Sequence, residues 1–143
     1  MNYQIISAGK GQDYDWANDH IFVKTTLDLT GGRVTFVEDT LKPGFHLPRH
    51  YHKEMIEIFY ILEGEIEFKF DDATVIVTPG MTINVPPYNW HEVTCSQAGK
   101  LLTIFSPGGF DQYLAELASM TEEQFADASL MTRLGEKYDT WMR

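Results

Sequence analysis

The stretch Gly44-Phe-His-Leu-Pro-Arg-His-Tyr-His-Lys-Glu-Met-Ile-Glu-Ile-Phe-Tyr-Ile-Leu-Glu-Gly64 sets two histidines, His50 and His52, and a glutamate, Glu57, between two glycines. The histidines are two residues apart, so in an extended backbone both imidazoles leave the same face. Glu57 opens the run Glu57–Leu62, where Phe59 and Ile61 share its face and give the carboxylate an apolar floor. That run is rich in β-branched and aromatic residues and stops at Glu63-Gly64, the composition of a short strand ending in a turn.

Working outward, similar short runs recur at Ile21–Leu27, Arg33–Leu41, Glu65–Phe70, Thr74–Val77, Met81–Val85, His91–Cys95 and Leu101–Phe105. Gly31-Gly32, Pro43-Gly44, Asp71-Asp72, Pro79-Gly80 and Pro86-Pro87 separate them. Short strands at close spacing with turn chemistry between them predict an all-β sandwich or barrel. No segment of helical length intervenes, which argues against parallel βαβ units. After Pro107-Gly108-Gly109 the period changes: Phe110, Leu114 and Leu117 recur at helical spacing. Thr121-Glu122-Glu123-Gln124 reads as a capping box. Behind it Phe125, Ala128, Met131 and Leu134 predict a second short helix, with Gly135 as its stop and Tyr138 and Trp141 extending the apolar face. The expected organisation is one domain, with the β-region over 1–109 and a C-terminal helical extension over 110–143 that packs and does no chemistry.

The chain has 143 residues and a net charge of −10, with no cluster of Lys and Arg. A phosphate-binding surface needs such a cluster, so no nucleic-acid partner is expected, and the same charge disfavours an anionic membrane surface. No run approaches the ~20 apolar residues of a membrane span. Met1-Asn2-Tyr3-Gln4-Ile5-Ile6 lacks the basic start and apolar stretch of a signal peptide. A single cysteine, Cys95, excludes an internal disulfide. The expected location is the cytoplasm.

Further along, Gly80-x5-Pro86 leads through a proline turn to His91, at the start of another strand. Three histidines and one carboxylate from adjacent strands suit a divalent metal: imidazole fits Fe, Ni, Cu and Zn, and the carboxylate leaves Mn open. Taken together these positions resemble the cupin family. Its first motif, Gly-x5-His-x-His-x(3 or 4)-Glu-x6-Gly, is filled at Gly44, His50, His52, Glu57 and Gly64. Its second, Gly-x5-Pro-x-Gly-x2-His-x3-Asn, is met at Gly80, Pro86 and His91 and departs at Tyr88, where Gly is usual, and at Cys95, where Asn is usual. Both departures lie outside the ligand set and bear on the pocket lining.

The resemblance implies a small cupin barrel, or jelly roll. It implies His50, His52, Glu57 and His91 as ligands of one divalent ion (Fe, Mn, Ni, Zn or Cu), with one or two positions open to water, O₂ or substrate. The Pro107-Gly-Gly-Phe110 opening into a helix after a single barrel is similar to small cupins of the quercetin 2,3-dioxygenase-like kind. The function this implies is a dioxygenase-like oxidoreductase on a small enol, phenol or diketone, with Glu57 also serving as general base. A non-redox isomerase, lyase or decarboxylase using the ion as Lewis acid, and a non-catalytic small-molecule binder, stay open. Single-barrel cupins commonly pair, and the strand edges and the apolar tail (Phe125, Met131, Leu134, Tyr138, Trp141) make a homodimer the expected assembly.

Other residues receive plainer readings. His46 reads as a solvated histidine in a Pro-containing loop, and His20 as structural. Cys95 lies ~13 Å along the strand from His91, too far to share its ion, and reads as a small apolar group inside the barrel. Tyr88 and Trp90 flank the proline turn and either wall a substrate entrance or pack the barrel end. Arg49 and Tyr51 point away from the ligand face by strand alternation. Ser106 and Asp111 lack the context of a Ser/His/Asp triad, and Gly31-Gly32 and Gly108-Gly109 lack the spacing of a phosphate loop.

Overall fold

The structure is a computed structural model that describes residues 3–142, so the reading of Met1 and Asn2 lies outside the described residues. The strands run β1 (Gln12–Asp15), β2 (Asp19–Thr25), β3 (Thr35–Leu41), β4 (Phe45–His50), β5 (Ile56–Glu63), β6 (Ile66–Lys69), β7 (Thr74–Val77), β8 (Thr82–Val85), β9 (His91–Cys95) and β10 (Gly99–Ser106). Helices α1 (Phe110–Ser119), α2 (Glu122–Phe125) and α3 (Ala128–Lys137) follow. One antiparallel sheet has the order β1-β2-β3-β10-β5-β8 and the other β4-β9-β6-β7. They face each other as a jelly roll and do not close into one continuous barrel.

Alternation explains why these strands bury the faces they do. β3 and β10 hide every second residue, Thr35, Val37, Asp39 and Leu41 on one, Gly99, Leu101, Thr103 and Phe105 on the other. The larger core cluster spans both sheets, with Phe59 of β5 meeting Phe68 of β6 edge to face at 4.9 Å. A second cluster joins Ile21, Val23, Val37, Met55 and Phe105 to Leu114 of α1, and Phe110 stacks on Phe105 at 4.1 Å. The pivot between β5 and β6 is Gly64, at φ 85°, where a Cβ would lie 2.7 Å from the carbonyl oxygen of Ala98. Only glycine fits that approach.

Several expectations need correction. β1 is a polar edge strand paired only with β2, so it carries no alternating apolar signal. β4 contains Pro48, which argues against a strand; a register shift between Leu47 and His50 accommodates the proline, and His46 therefore sits on a strand and not in a loop. The capping box at Thr121 and Gln124 is present, but α2 is a single turn, and Asp127 caps a separate α3. Phe125 is consequently exposed. Gly135 does not stop α3, which runs on to Lys137; it is buried, and a Cβ there would stand 2.9 Å from the Thr140 carbonyl oxygen. Among the described residues no helix is long and apolar enough to cross a membrane.

Candidate metal centre

The candidate site forms where β4 ends beside the start of β9 in the four-stranded sheet and faces the start of β5 in the other. His50 and His91 are register partners on these neighbouring strands, with ring centroids 4.2 Å apart. His52 follows just beyond β4, and Glu57 enters from the start of β5. One donor atom from each of these four residues lies within 4.8 Å of all the others, and none of the four is more than 4% exposed. Donors on a single first-row ion, each about 2.0–2.2 Å from it, stand up to about 4.4 Å apart, so a small inward shift of these side chains would suit a divalent ion.

The hydrogen bonds around the rings strengthen that fit. His50 Nδ1 donates to the carbonyl of Pro48 at 2.7 Å, His52 Nδ1 to that of Asp139 at 2.8 Å, and His91 Nδ1 to that of Asn89 at 2.9 Å. A carbonyl can only accept, so all three Nδ1 atoms carry a proton and each ring turns its Nε2 inward. His52 Nε2 lies 2.9 Å from Glu57 Oε2, and His91 Nε2 lies 3.5 Å from Glu57 Oε1. His91 Nε2 is buried with no hydrogen-bond partner. A cation among these atoms would give the three Nε2 atoms and the carboxylate one shared partner. This is the donor set that a borderline divalent ion takes.

Electrostatics follow from burial and contact. Burial, aided by His91, brings His50 down to about 4, so it is neutral near pH 7. Burial would raise Glu57, but the hydrogen bond with His52 and the nearness of His52 and His91 outweigh it and hold the carboxyl well below the usual carboxylate range. For His52 burial acts downward, and the bond to Glu57 overcomes it and raises the ring.

His52 is the ligand candidate with no strand of its own, and its surroundings compensate. Tyr51 pairs with Trp141 through two backbone hydrogen bonds of 2.9 Å, and the amide of Tyr88 donates to the His52 carbonyl at 2.7 Å. The Asp139 carboxylate accepts from the amides of Lys53, Glu54 and Met55, each at 2.8 Å. The C-terminal tail thus positions His52 as well as packing, which goes beyond the role expected for it. Tyr88 is exposed and left-handed at φ 65°, so the residue that replaces the usual Gly keeps glycine's backbone geometry, at a cost of about 1–2 kcal/mol. Trp90 lies against Tyr51 at 4.4 Å and under the Arg49 guanidinium at 3.9 Å, outside the ligand cluster.

A cavity of about 290 Å³ opens against His50 and Glu57. Its walls include Ile21, Val37, Leu47, Phe59, Phe105 and Leu114. The remaining sequence candidates are elsewhere or have other partners. His46 pairs with Glu92 at the cavity edge, His20 with Asp13 on the outer face, and Cys95 lies in the core with its thiol raised by burial. Asp111 accepts from Thr35 Oγ1 at 2.7 Å and from the Leu27 amide, and Ser106 donates to Arg33. Reading the sequence missed Asp19, Asp39 and Thr103, polar residues buried in the cavity wall, and Asp139. For Asp19 and Asp39 the signal was present: each occupies the inward phase of an alternating strand.

Comparison with known proteins bears on the family. The sequence pattern described as the cupin domain matches residues 37–105. Quercetin 2,3-dioxygenase of Bacillus subtilis (strain 168) is 28% identical over 94 residues, which is 65% of this chain and 28% of that protein, so the chain spans little more than a quarter of its relative's length. KdgF from Halomonas sp. superposes with a TM-score of 0.67 at 15% identity, covering 76% of this chain and 99% of that one. An RmlC-like cupin from Shewanella frigidimarina NCIMB 400 superposes with a TM-score of 0.64 at 22% identity, covering 77% and 96%. At these identities the superpositions speak for the fold alone.

Proposed function

On the premise of a small cupin domain, which the match over residues 37–105 supports, we propose that the chain is a metal-dependent, dioxygenase-like oxidoreductase acting on a small enol, phenol or diketone. The observation that supports this most is the placement of Glu57, which is at once a member of the ligand cluster and part of the wall of an apolar cavity. The distant likeness to quercetin 2,3-dioxygenase points the same way.

In this reading His50, His52, Glu57 and His91 hold the ion. A bound divalent ion would supply Lewis-acid polarisation of a substrate oxygen and, if redox-active, electron transfer to O₂. The chain's own residues do the rest. The three backbone carbonyls fix the imidazoles, so their donor geometry is set before ligand arrives. Phe59, Phe105 and Leu114 exclude water from the reacting oxygen. The Glu57 carboxylate, ionised near neutral pH, receives the enol or phenol proton at an Oε atom.

The test is oxygen uptake by protein loaded in turn with Fe, Mn, Ni, Zn and Cu, after addition of a flavonol or a β-diketone. Uptake with a redox-active ion that vanishes on chelation is expected. Metal-dependent conversion without uptake would move the assignment to isomerase, lyase or decarboxylase chemistry, and ligand binding without product under any ion would make the protein a binder.

A further inference from the structure

Away from the metal-ligand cluster, the cavity wall carries a second polar group. Asp19 of β2 and Asp39 of β3 face the interior from adjacent strands, 5% and 8% exposed, and both line the cavity with Thr103 of β10. Thr103 Oγ1 donates to Asp39 Oδ2 at 3.2 Å. Asp19 Oδ1 is buried and has no hydrogen-bond partner among the described residues. An unpaired buried acceptor is costly, and the cost disappears when a donor reaches it.

Two carboxylates buried side by side do not both ionise. Burial first, and then the neighbouring Asp39, push Asp19 up; burial also raises Asp39, which Asp19 and Thr103 oppose through their hydrogen bonds. Thr103 already donates to Asp39 and favours the negative charge there, so the shared proton rests on Asp19 and points to Asp39. The free Oδ1 of Asp19 is then a carbonyl-type acceptor. It calls for a ligand with a hydroxyl hydrogen, and does not call for an anion.

We propose that Asp19, held by Asp39 and Thr103, is the subsite that accepts a hydroxyl of the cavity's ligand, a hydroxylated ring compound whose far end lies toward His50 and Glu57. This rests on reading the cavity as the substrate site. On β10 the residue opposite Glu57 is Phe105 and the residue opposite Asp39 is Leu101, four positions away, which is ~13 Å along the strand. Midway between the two polar ends, Val37 and Phe59 are the register partners of Thr103 and present apolar side chains to the cavity. A ligand that serves both has an apolar body between oxygens at opposite ends. An aliphatic acid would set a carboxylate beside Asp39 and is rejected.

The experiment uses phenol and toluene as probes on the protein as purified, with binding followed by calorimetric or NMR titration. Phenol is expected to bind about tenfold more tightly than toluene, and its oxygen to lie within hydrogen-bond distance of Asp19 Oδ1 in soaked crystals. Asp19→Leu, with its fold checked by melting, should lose the preference. Asp19→Asn keeps an oxygen acceptor and donates to Asp39, so it should retain the preference. Equal affinity for the two probes, no binding of either, a phenol oxygen placed elsewhere, or an unchanged preference in Asp19→Leu overturns the subsite. Neither probe reports on oxygen uptake, so loss of the dioxygenase reading and loss of this subsite are separate results. Should Asp19→Leu fail to fold, the crystal position in the unaltered protein and the Asp19→Asn titration still decide.

Discussion

The Asp139 carbonyl accepts a hydrogen bond from His52 Nδ1 at 2.8 Å, and the two residues are 87 positions apart. A residue after the last helix therefore sets the orientation of a metal-ligand candidate at the centre of the β-fold. The Asp139 side chain secures the same loop through three amides.

Asp139→Ala removes those three bonds and is expected to destabilise the fold by about 1–3 kcal/mol. The amides also explain why Asp139 sits below the ordinary carboxylate range although burial opposes it. A depressed folded pKa gives stability that is present above the unfolded value and lost as pH falls through the folded one. The gap between the wild type and Asp139→Ala should accordingly close below about pH 4. Urea unfolding at pH 7 and pH 3 checks this; an equal gap at both would disprove it.

Metal should stabilise the fold, since the four candidate ligands tie both sheets together. A ligand that binds only the native state adds about 2.7 kcal/mol at a hundredfold excess over Kd. Melting should fall on chelation and recover with a divalent ion. Identical curves for loaded and chelated protein would refute a bound ion at this site.

Glu57→Gln separates holding a metal from moving a proton. The amide keeps one coordinating oxygen and loses the charge. With Glu57 as base, the variant retains most of its metal and loses turnover by roughly 10²–10⁴-fold. His52→Ala should lose metal and turnover together. Full activity in metal-replete Glu57→Gln, measured with whichever substrate the oxygen assay identifies, would remove the base role.

Asp19 gives the opposite pH signature to Asp139. A carboxyl raised in the folded state binds its proton more tightly there than in the unfolded chain, so stability falls as pH rises above the ordinary carboxylate range. The slope is at most about 1.4 kcal/mol per pH unit for one proton. Asp19→Asn abolishes that titration and should flatten the decline between pH 6 and pH 9. Parallel melting profiles for the two proteins would show that the Asp19–Asp39 pair does not share a proton.

A homodimer is the expected assembly. β8 and β7 are edge strands, and Tyr60, Val75, Ile76 and Met81 expose large apolar side chains on or beside them. Unpaired edges with apolar side chains invite a partner strand. Sedimentation at micromolar concentration should give twice the chain mass, and a monomer there would count against pairing through these edges.

The β-region was legible because alternation and turn residues are local signals. His91–Cys95 and Thr74–Val77 match their predicted bounds, and the other predicted strands shift by one or two residues. β4 was hidden by Pro48, because a register shift of the paired backbone leaves no mark in composition. The four-residue cluster was legible through spacing that two motifs share. Its supports were not: Pro48, Asn89 and Asp139 act through backbone carbonyls, and every residue type has one. Gly135 shows the same limit, since a helix-ending glycine and a glycine required by close packing look identical in a sequence.

The separation of His52 from Asp139 also orders events in time. A ribosome adding about 5–20 residues per second needs about 4 to 17 s to pass from one to the other. During that interval the imidazoles of His50 and His52 exist without the carbonyl that fixes the second ring. His91 and its Asn89 carbonyl are made within it as well. Chain order thus makes His50 and His52 early and the carbonyl that orients His52 last, so the full four-residue geometry arrives only with the tail.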